Sequence, residues 1–101
     1  MMHKNNRVDF VGFTPDAEQK WLVEAEITKL LDRAPGQSSL SAVICSEAEG
    51  FSAKIQISSF SNNFEAYSTS IDLYGVMNKI DTELGNQFAA WKRERFRPQV
   101  S

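Results

Sequence analysis

Apolar residues recur with a helical period in two segments and with a period of two between them. Near the start, RVDFVGF (7–13) mixes apolar and polar residues and predicts a strand that is partly covered on both faces. TPDAEQ follows, in which Thr14 can cap a helix and Pro15 suits its first position, so we expect a helix to about Arg33. Its buried stripe consists of Val23, Ile27, Leu30 and Ala34.

Three segments with a period of two come next and predict a meander of strands at 39–46, 51–58 and 64–68. The middle segment alternates most clearly, with apolar residues on one face and polar residues on the other. Its apolar face consists of Phe51, Ala53, Ile55 and Ile57. The turns EAEG and SNN separate the strands, and the alternation predicts a sheet that is covered on one side only.

A long amphipathic helix closes the chain. Its apolar residues fall within one stripe and are Leu73, Val76, Met77, Ile80, Leu84, Phe88 and Trp91. We expect Thr69 or Ser70 to cap this helix, Asp72 to lie in its first turn and Pro98 to end it.

These elements predict an α+β fold with the order β-α-β-β-β-α. A helix between the first two strands allows them to lie parallel, so the expected sheet is four-stranded and mixed, with both helices packed on one face. We expect a single domain over 1–101, with a flexible lead at 1–6 and a tail at 98–101.

Composition narrows the setting in which such a domain works. The chain has 101 residues, 42% of them hydrophobic and 24% charged, which is the mix of a domain that can bury a modest core. A single cysteine, Cys45, excludes an internal disulfide. No apolar run is long enough for a signal peptide or a membrane span. We therefore expect a soluble cytoplasmic protein without a membrane partner.

Residues that usually carry out catalysis are scarce. His3 is the single histidine and lies in the predicted lead, so a histidine triad or general base has no fixed place. Cys45 lies mid-strand, where a small core residue is the more common role. One cysteine and one histidine cannot build a zinc site, and the glycines form no phosphate-binding loop. The sequence predicts no enzyme, no cofactor, no metal site and no small-molecule substrate, which leaves binding.

Basic residues suggest where binding could occur. The formal net charge is −2, yet four of the eleven Lys and Arg residues lie within six positions after Trp91. One flank of the last helix, here called the basic flank, consists of Lys79, Asn86, Arg93 and Arg97. This flank could bind RNA phosphates. It could equally be a solvated surface whose basic residues complement the dipole at the C-terminal end of the helix. Lys29 and Arg33 form a similar pair on the first helix, and the two basic flanks could border one groove.

Trp21 is a second candidate for binding. The helical period places it opposite the buried stripe, so a large aromatic ring is expected on the exposed face. It could stack on a base or fill a pocket of a partner protein, and it could equally be covered by the polar lead.

The whole pattern resembles the ribosome hibernation-promoting factor and ribosome-associated inhibitor family, also called sigma-factor modulation proteins. The matching positions are Val23, Ile27, Lys29, Leu30, Phe64, Ala66, Asp72, Tyr74, Met77, Ile80, Leu84 and Gln87. The resemblance implies a fold similar to that of double-stranded RNA-binding domains. It also implies docking on the small ribosomal subunit and its ribosomal RNA near the decoding centre, which silences idle ribosomes. By length, it would correspond to the short form without the additional dimerisation domain.

The chain also departs from the family in charge. Phe13 and Thr14 stand where a basic or polar pair is usual, Glu83 stands where lysine is common, and the first helix carries Glu24 and Glu26. Two hypotheses follow. In the first, the chain binds RNA through Lys29, Arg33, Lys79, Lys92, Arg93, Arg95 and Arg97. In the second, it is a protein-interaction module of the same fold, with Trp21 as a candidate contact.

Overall fold

The computed structural model describes residues 6–60 and 62–96. The elements follow in the order β1 (Arg7–Val11), α1 (Ala17–Arg33), β2 (Ser39–Glu47), β3 (Gly50–Ser58), β4 (Asn63–Ser70) and α2 (Leu73–Phe96). The predicted β-α-β-β-β-α order is therefore confirmed. Residues 1–5, most of the predicted lead, and 97–101, which include Pro98, lie outside the described residues.

The four strands form one mixed sheet in the order β1-β2-β3-β4. β1 pairs with β2 in parallel, with Val8 opposite Ala42, and the other two pairings are antiparallel. α1 makes the crossover that a parallel pair needs. One face of β2, β3 and β4 is buried, and its residues are Leu40, Ala42, Ile44, Ala53, Ile55, Ile57, Phe64 and Ala66. The predicted one-sided alternation is confirmed except at Ser52, which is buried although it was expected on the polar face, and whose hydroxyl donates to Glu47 Oε2 at 2.7 Å.

Both helices cover this buried face. The helical core positions are Val23, Ile27, Leu30, Leu73, Val76, Met77, Ile80, Leu84 and Phe88, and they form one cluster with the strand residues. In the second half of α2, the Phe88 ring packs edge-on against Phe64 with 4.9 Å between the ring centroids. Trp91 extends the contact at 6.3 Å from Phe64. The stripes predicted for the two helices are thus the ones that the fold buries.

β1 is shorter than predicted. It ends at Val11 because Gly12 adopts a positive φ of 86° and turns the chain out of the sheet. Phe13 then packs beside the sheet, with its ring centroid 5.7 Å from Phe10 and 5.3 Å from Phe51. The residue is part of the apolar surroundings of the core without belonging to a strand.

The predicted start of the first helix is wrong by two residues. Asp16, in extended conformation, is the cap of α1: its Oδ1 accepts a hydrogen bond from the Gln19 N–H at 2.8 Å. The Gln19 Oε1 in turn accepts from the Asp16 N–H at 3.0 Å, which completes a capping box. Thr14 has Ala17 three residues later and so lacks the partner that this motif needs. Pro15 precedes the helix instead of opening it.

The predicted cap of the last helix is also wrong. Thr69 and Ser70 belong to β4, where Ser70 pairs with Phe51 of β3. α2 begins only at Leu73, and Asp72 caps it from outside: its Oδ1 accepts from the Gly75 N–H at 2.7 Å. Pairing with β3 holds the two hydroxyl residues in the sheet, so the cap falls to the next suitable side chain.

Two side chains of α2 cover the free edge of β4. The Gln87 amide accepts from the Glu65 N–H at 3.2 Å and donates to the Glu65 carbonyl at 2.8 Å, as a neighbouring strand would. Lys79 Nζ donates to the Thr69 carbonyl at 2.8 Å. Because an unpaired edge invites pairing with another chain, these bonds protect β4 and fix α2 against it.

Candidate nucleic-acid interface

Basic side chains at the end of α2 are exposed. Lys92 and Arg93 both extend into solvent, and no ion-pair partner for either lies among the described side chains. The backbone of Arg95 lies in the last turn of α2, whereas Arg97 lies outside the described residues. A positive charge that no carboxylate neutralises remains available to a phosphate.

Lys79 lies about 21 Å along α2 from Arg93, as the rise per helical residue requires. It faces the edge of β4, where its ammonium group donates to the Thr69 carbonyl. Glu83 follows on the same flank and accepts from Gln87 Nε2 at 3.1 Å. The carboxylate of Glu83 therefore interrupts the basic flank. It separates Lys79, at the edge of β4, from the basic residues at the C-terminal end of α2.

Arg33 of α1 is neutralised by α2. Its Nη2 lies 2.7 Å from Asp81 Oδ1, and its guanidinium carbon lies 5.8 Å from the centroid of the Phe88 ring. Gly85 leaves room for this arrangement, since a Cβ there would approach Arg33 Nη1 to 3.3 Å. The arginine thus joins the two helices, and an ion-paired guanidinium contributes less to RNA binding than a free one.

Lys29 is more accessible. Its Nζ lies 3.7 Å from Glu26 Oε1, and 63% of its side chain is exposed, so the pair is loose. The groove between the helices is consequently not bordered by two basic flanks. Asp81 and Glu26 lie there beside Arg33 and Lys29, while Lys79 is on the opposite flank of α2. The hypothesis of a shared basic groove is wrong.

Glu26 is a buried carboxyl group between the helices, with 8% of the residue exposed. Its pKa is raised from 4.5 to about 7, first by burial, then by a hydrogen bond with Asp81 and by the negative charge of Asp81; Lys29 and Arg33 act in the opposite direction. With both carboxylates ionised, Glu26 Oε2 has no hydrogen-bond donor. Burial favours the uncharged carboxyl group, and a proton on Glu26 also supplies a donor for the hydrogen bond with Asp81, so both causes raise the pKa.

Trp21 is exposed, as its position in the helical period predicts, with 67% of its surface accessible. The structure adds a partner that the sequence pattern does not indicate: Tyr74 at the start of α2 is 68% exposed and lines the same depression as Trp21. Tyr74 matches the family pattern, but only the packing of α1 beside α2 brings the two rings to one groove. The polar residues that could cover Trp21, 1–5, lie outside the described residues.

Metal-binding and membrane-spanning features are absent from the part of the chain that the structure describes. Within 6–60 and 62–96, no group of three or more His, Cys, Asp or Glu side chains is arranged to hold a metal ion. Neither of the described helices has the length and apolar character needed to cross a bilayer.

Neither a protein-family model nor a curated protein sequence matches the chain. Solved structures do. A ribosomal subunit interface protein from Coxiella burnetii superimposes with a TM-score of 0.73 at 13% identity, over 86% of this chain and 96% of that one. The N-terminal domain of Protein Y from Thermus thermophilus gives a TM-score of 0.67 at 16% identity, over 86% and 93%.

Both neighbours share the fold that the resemblance seen in the sequence implied, so that resemblance is confirmed at the level of the fold. At these identities the likeness defines a class of fold.

Proposed function

We propose that this protein is a non-catalytic, ribosome-associated factor that docks on the small ribosomal subunit through ribosomal RNA and inhibits translation, as in ribosome hibernation. The observation that carries the proposal is the match of nearly the whole fold to a ribosomal subunit interface protein. Support from the surface comes from Lys92 and Arg93, which are exposed at one end of a chain whose net charge is negative.

The basic residues differ in what they can contribute. Lys92, Arg93, Arg95 and Arg97 form the principal contact group in the proposal, because four positive charges lie within six consecutive positions of the sequence. Lys79 adds a single cation further along the helix. Lys29 and Arg33 contribute less, since each is paired with a carboxylate. The excess of acidic side chains elsewhere would repel RNA from the other faces and so orient the approach.

Cosedimentation with purified small subunits at two salt concentrations tests the proposal. Arg93→Glu should weaken binding and reduce the slope of log affinity against log salt by about 0.7 to 0.9 for each phosphate that the variant no longer binds. Lys20→Glu is the matched control, because it makes the same charge change at an exposed position of α1. Equal effects of the two changes, or no binding of the wild type at low salt, would reject the proposal.

A second function is supported by a different observation, the pair of exposed aromatic rings at Trp21 and Tyr74. Exposed aromatic residues are common anchors of protein interfaces. In this alternative the chain is a protein-interaction module that has the fold but has lost most of the RNA-binding surface. Trp21→Ala should then abolish partner binding in an assay in which Arg93→Glu has no effect.

A further inference from the structure

An open groove lies between α1 and the start of α2. This aromatic groove is lined by Trp21, Leu22, Glu26, Lys29, Tyr74 and Met77, among others, and has a volume of about 270 Å³. It continues into a neighbouring depression of about 470 Å³, to which Trp21 and Tyr74 also contribute. Two exposed aromatic side chains that line one concave site can hold a flat or cationic group.

Glu26 supplies a carboxyl group within the groove. Its side chain is only 10% exposed, and Lys29 approaches its Oε1 at 3.7 Å. Its Oε2 is fully buried and receives no hydrogen bond from the described residues. A ligand in the groove cannot reach Oε2 and would meet the Oε1 side of the carboxyl group, where low exposure strengthens a charge-assisted hydrogen bond.

Charges around the mouth favour a cation over an anion. The described residues that line the two depressions include the acidic Asp16, Glu18 and Glu26 and a single basic residue, Lys29. This excess of negative charge repels a phosphate backbone and attracts a positively charged side chain. A nucleobase could stack on the two rings, but the phosphates attached to it would be repelled by the acidic side chains around them.

We propose that the aromatic groove binds an arginine or lysine side chain from a basic segment of a protein partner, with the cation between Trp21 and Tyr74 and in contact with the Glu26 carboxylate. The rings supply cation–π attraction and the carboxylate a charge-assisted hydrogen bond. This inference rests on the protein-interaction function proposed above and specifies its ligand, and it does not depend on small-subunit binding.

Binding is coupled to release of a proton. Burial and then Asp81 on α2 raise the Glu26 pKa to about 7, while Lys29 and Arg33 on its own helix act in the opposite direction. At lower pH the incoming cation must displace the shared proton, which passes to solvent as the carboxylate forms its new ion pair. Affinity should therefore rise with pH and level off above about 7.

The test is a titration of the ¹⁵N-labelled full chain with the blocked peptide acetyl-Gly-Arg-Gly-amide, followed by the indole N–H signal of Trp21. Its neutral isostere, with citrulline in place of arginine, isolates the charge and should bind about tenfold more weakly. Glu26→Gln should also weaken arginine binding about tenfold at pH 8 and remove its pH dependence, whereas the matched control Glu24→Gln, at an exposed position, should change neither.

Several results would overturn the inference. Equal binding of the citrulline peptide would reduce the site to an aromatic contact, and a response to guanosine monophosphate in place of arginine would make it a nucleobase site. A Trp21 signal that moves with protein concentration alone would identify the occupant as a second copy of the chain. Cosedimentation of the Trp21→Ala variant with small subunits, measured in parallel, shows whether ribosome binding is intact. These outcomes therefore stay separate from failure of the ribosome-binding proposal.

Discussion

Replacing Glu26 with Gln should stabilise the protein at neutral and alkaline pH. Glutamine has nearly the same shape, carries no charge and can donate to the Asp81 carboxylate while its carbonyl accepts from Lys29. It therefore preserves the neutral form of the side chain that the buried position favours. The substitution removes a carboxyl group that the folded state must ionise between two helices as the pH rises.

The sign of the pH dependence follows from linkage. In the folded protein the Glu26 pKa is about 7, above the ordinary value of 4.5, so between these limits the folded state holds a proton that the unfolded state has lost. The stabilising contribution of that proton is complete below pH 4.5 and is lost as the pH rises to about 7. At about 1.4 kcal/mol for each pH unit, the full interval corresponds to an upper limit of between about 3 and 4 kcal/mol.

Urea unfolding at pH 5 and pH 8 measures the effect. Glu26→Gln should raise the free energy of unfolding by about 1 to 3 kcal/mol at pH 8 and change it little at pH 5. Glu24→Gln removes the same charge from an exposed position of α1 and should give a small difference at both pH values. A destabilised Glu26→Gln protein at pH 8, or a difference independent of pH, would show that burial does not control this carboxyl group.

Three further changes test the fold. In thermal unfolding, Gly50→Ala should cost about 2 to 4 kcal/mol, because Gly50 has a φ of 147° and a Cβ there would clash with the Ser70 carbonyl. Gly36→Ala is the control in the same assay, since a Cβ at Gly36 meets nothing within 4 Å. Ile80→Ala should lower the free energy of unfolding in urea by about 2 to 5 kcal/mol, because the side chain is fully buried. A decrease smaller than about 1 kcal/mol would contradict the place of Ile80 in the core. Trp21→Ala should leave the urea midpoint nearly unchanged, since the ring is exposed, and a large decrease would mean that an undescribed segment packs on it.

The helix ends show how far local sequence rules reach. A capping box requires Glu or Gln three residues after the cap, and this rule alone would have selected Asp16 over Thr14. At α2 no local rule suffices, because Ser70 is as good a cap as Asp72 in isolation. Pairing between Ser70 and Phe51 of β3 makes the choice, and that contact exists only in the folded sheet.

The sequence by itself determined the order of the elements, the buried faces of the strands and the stripes of both helices. Burial imposes a period of two on strands and of 3.6 on helices, and both periods are visible in the order of apolar residues such as those from Leu73 to Trp91. The exposure of Trp21 follows from the same rule. Each of these properties depends on near neighbours along the chain.

Tertiary structure alone decided which charged and aromatic groups act together. Arg33 and Asp81 are 48 positions apart, and only the packing of α1 beside α2 pairs this arginine, a predicted RNA contact, with a carboxylate. The same packing buries Glu26 and brings Tyr74 to the groove of Trp21. Helical periodicity gives the direction of a side chain from its own axis, but the neighbours that it meets depend on how distant segments pack, so the pairing of charges and the pKa of Glu26 had to come from the fold.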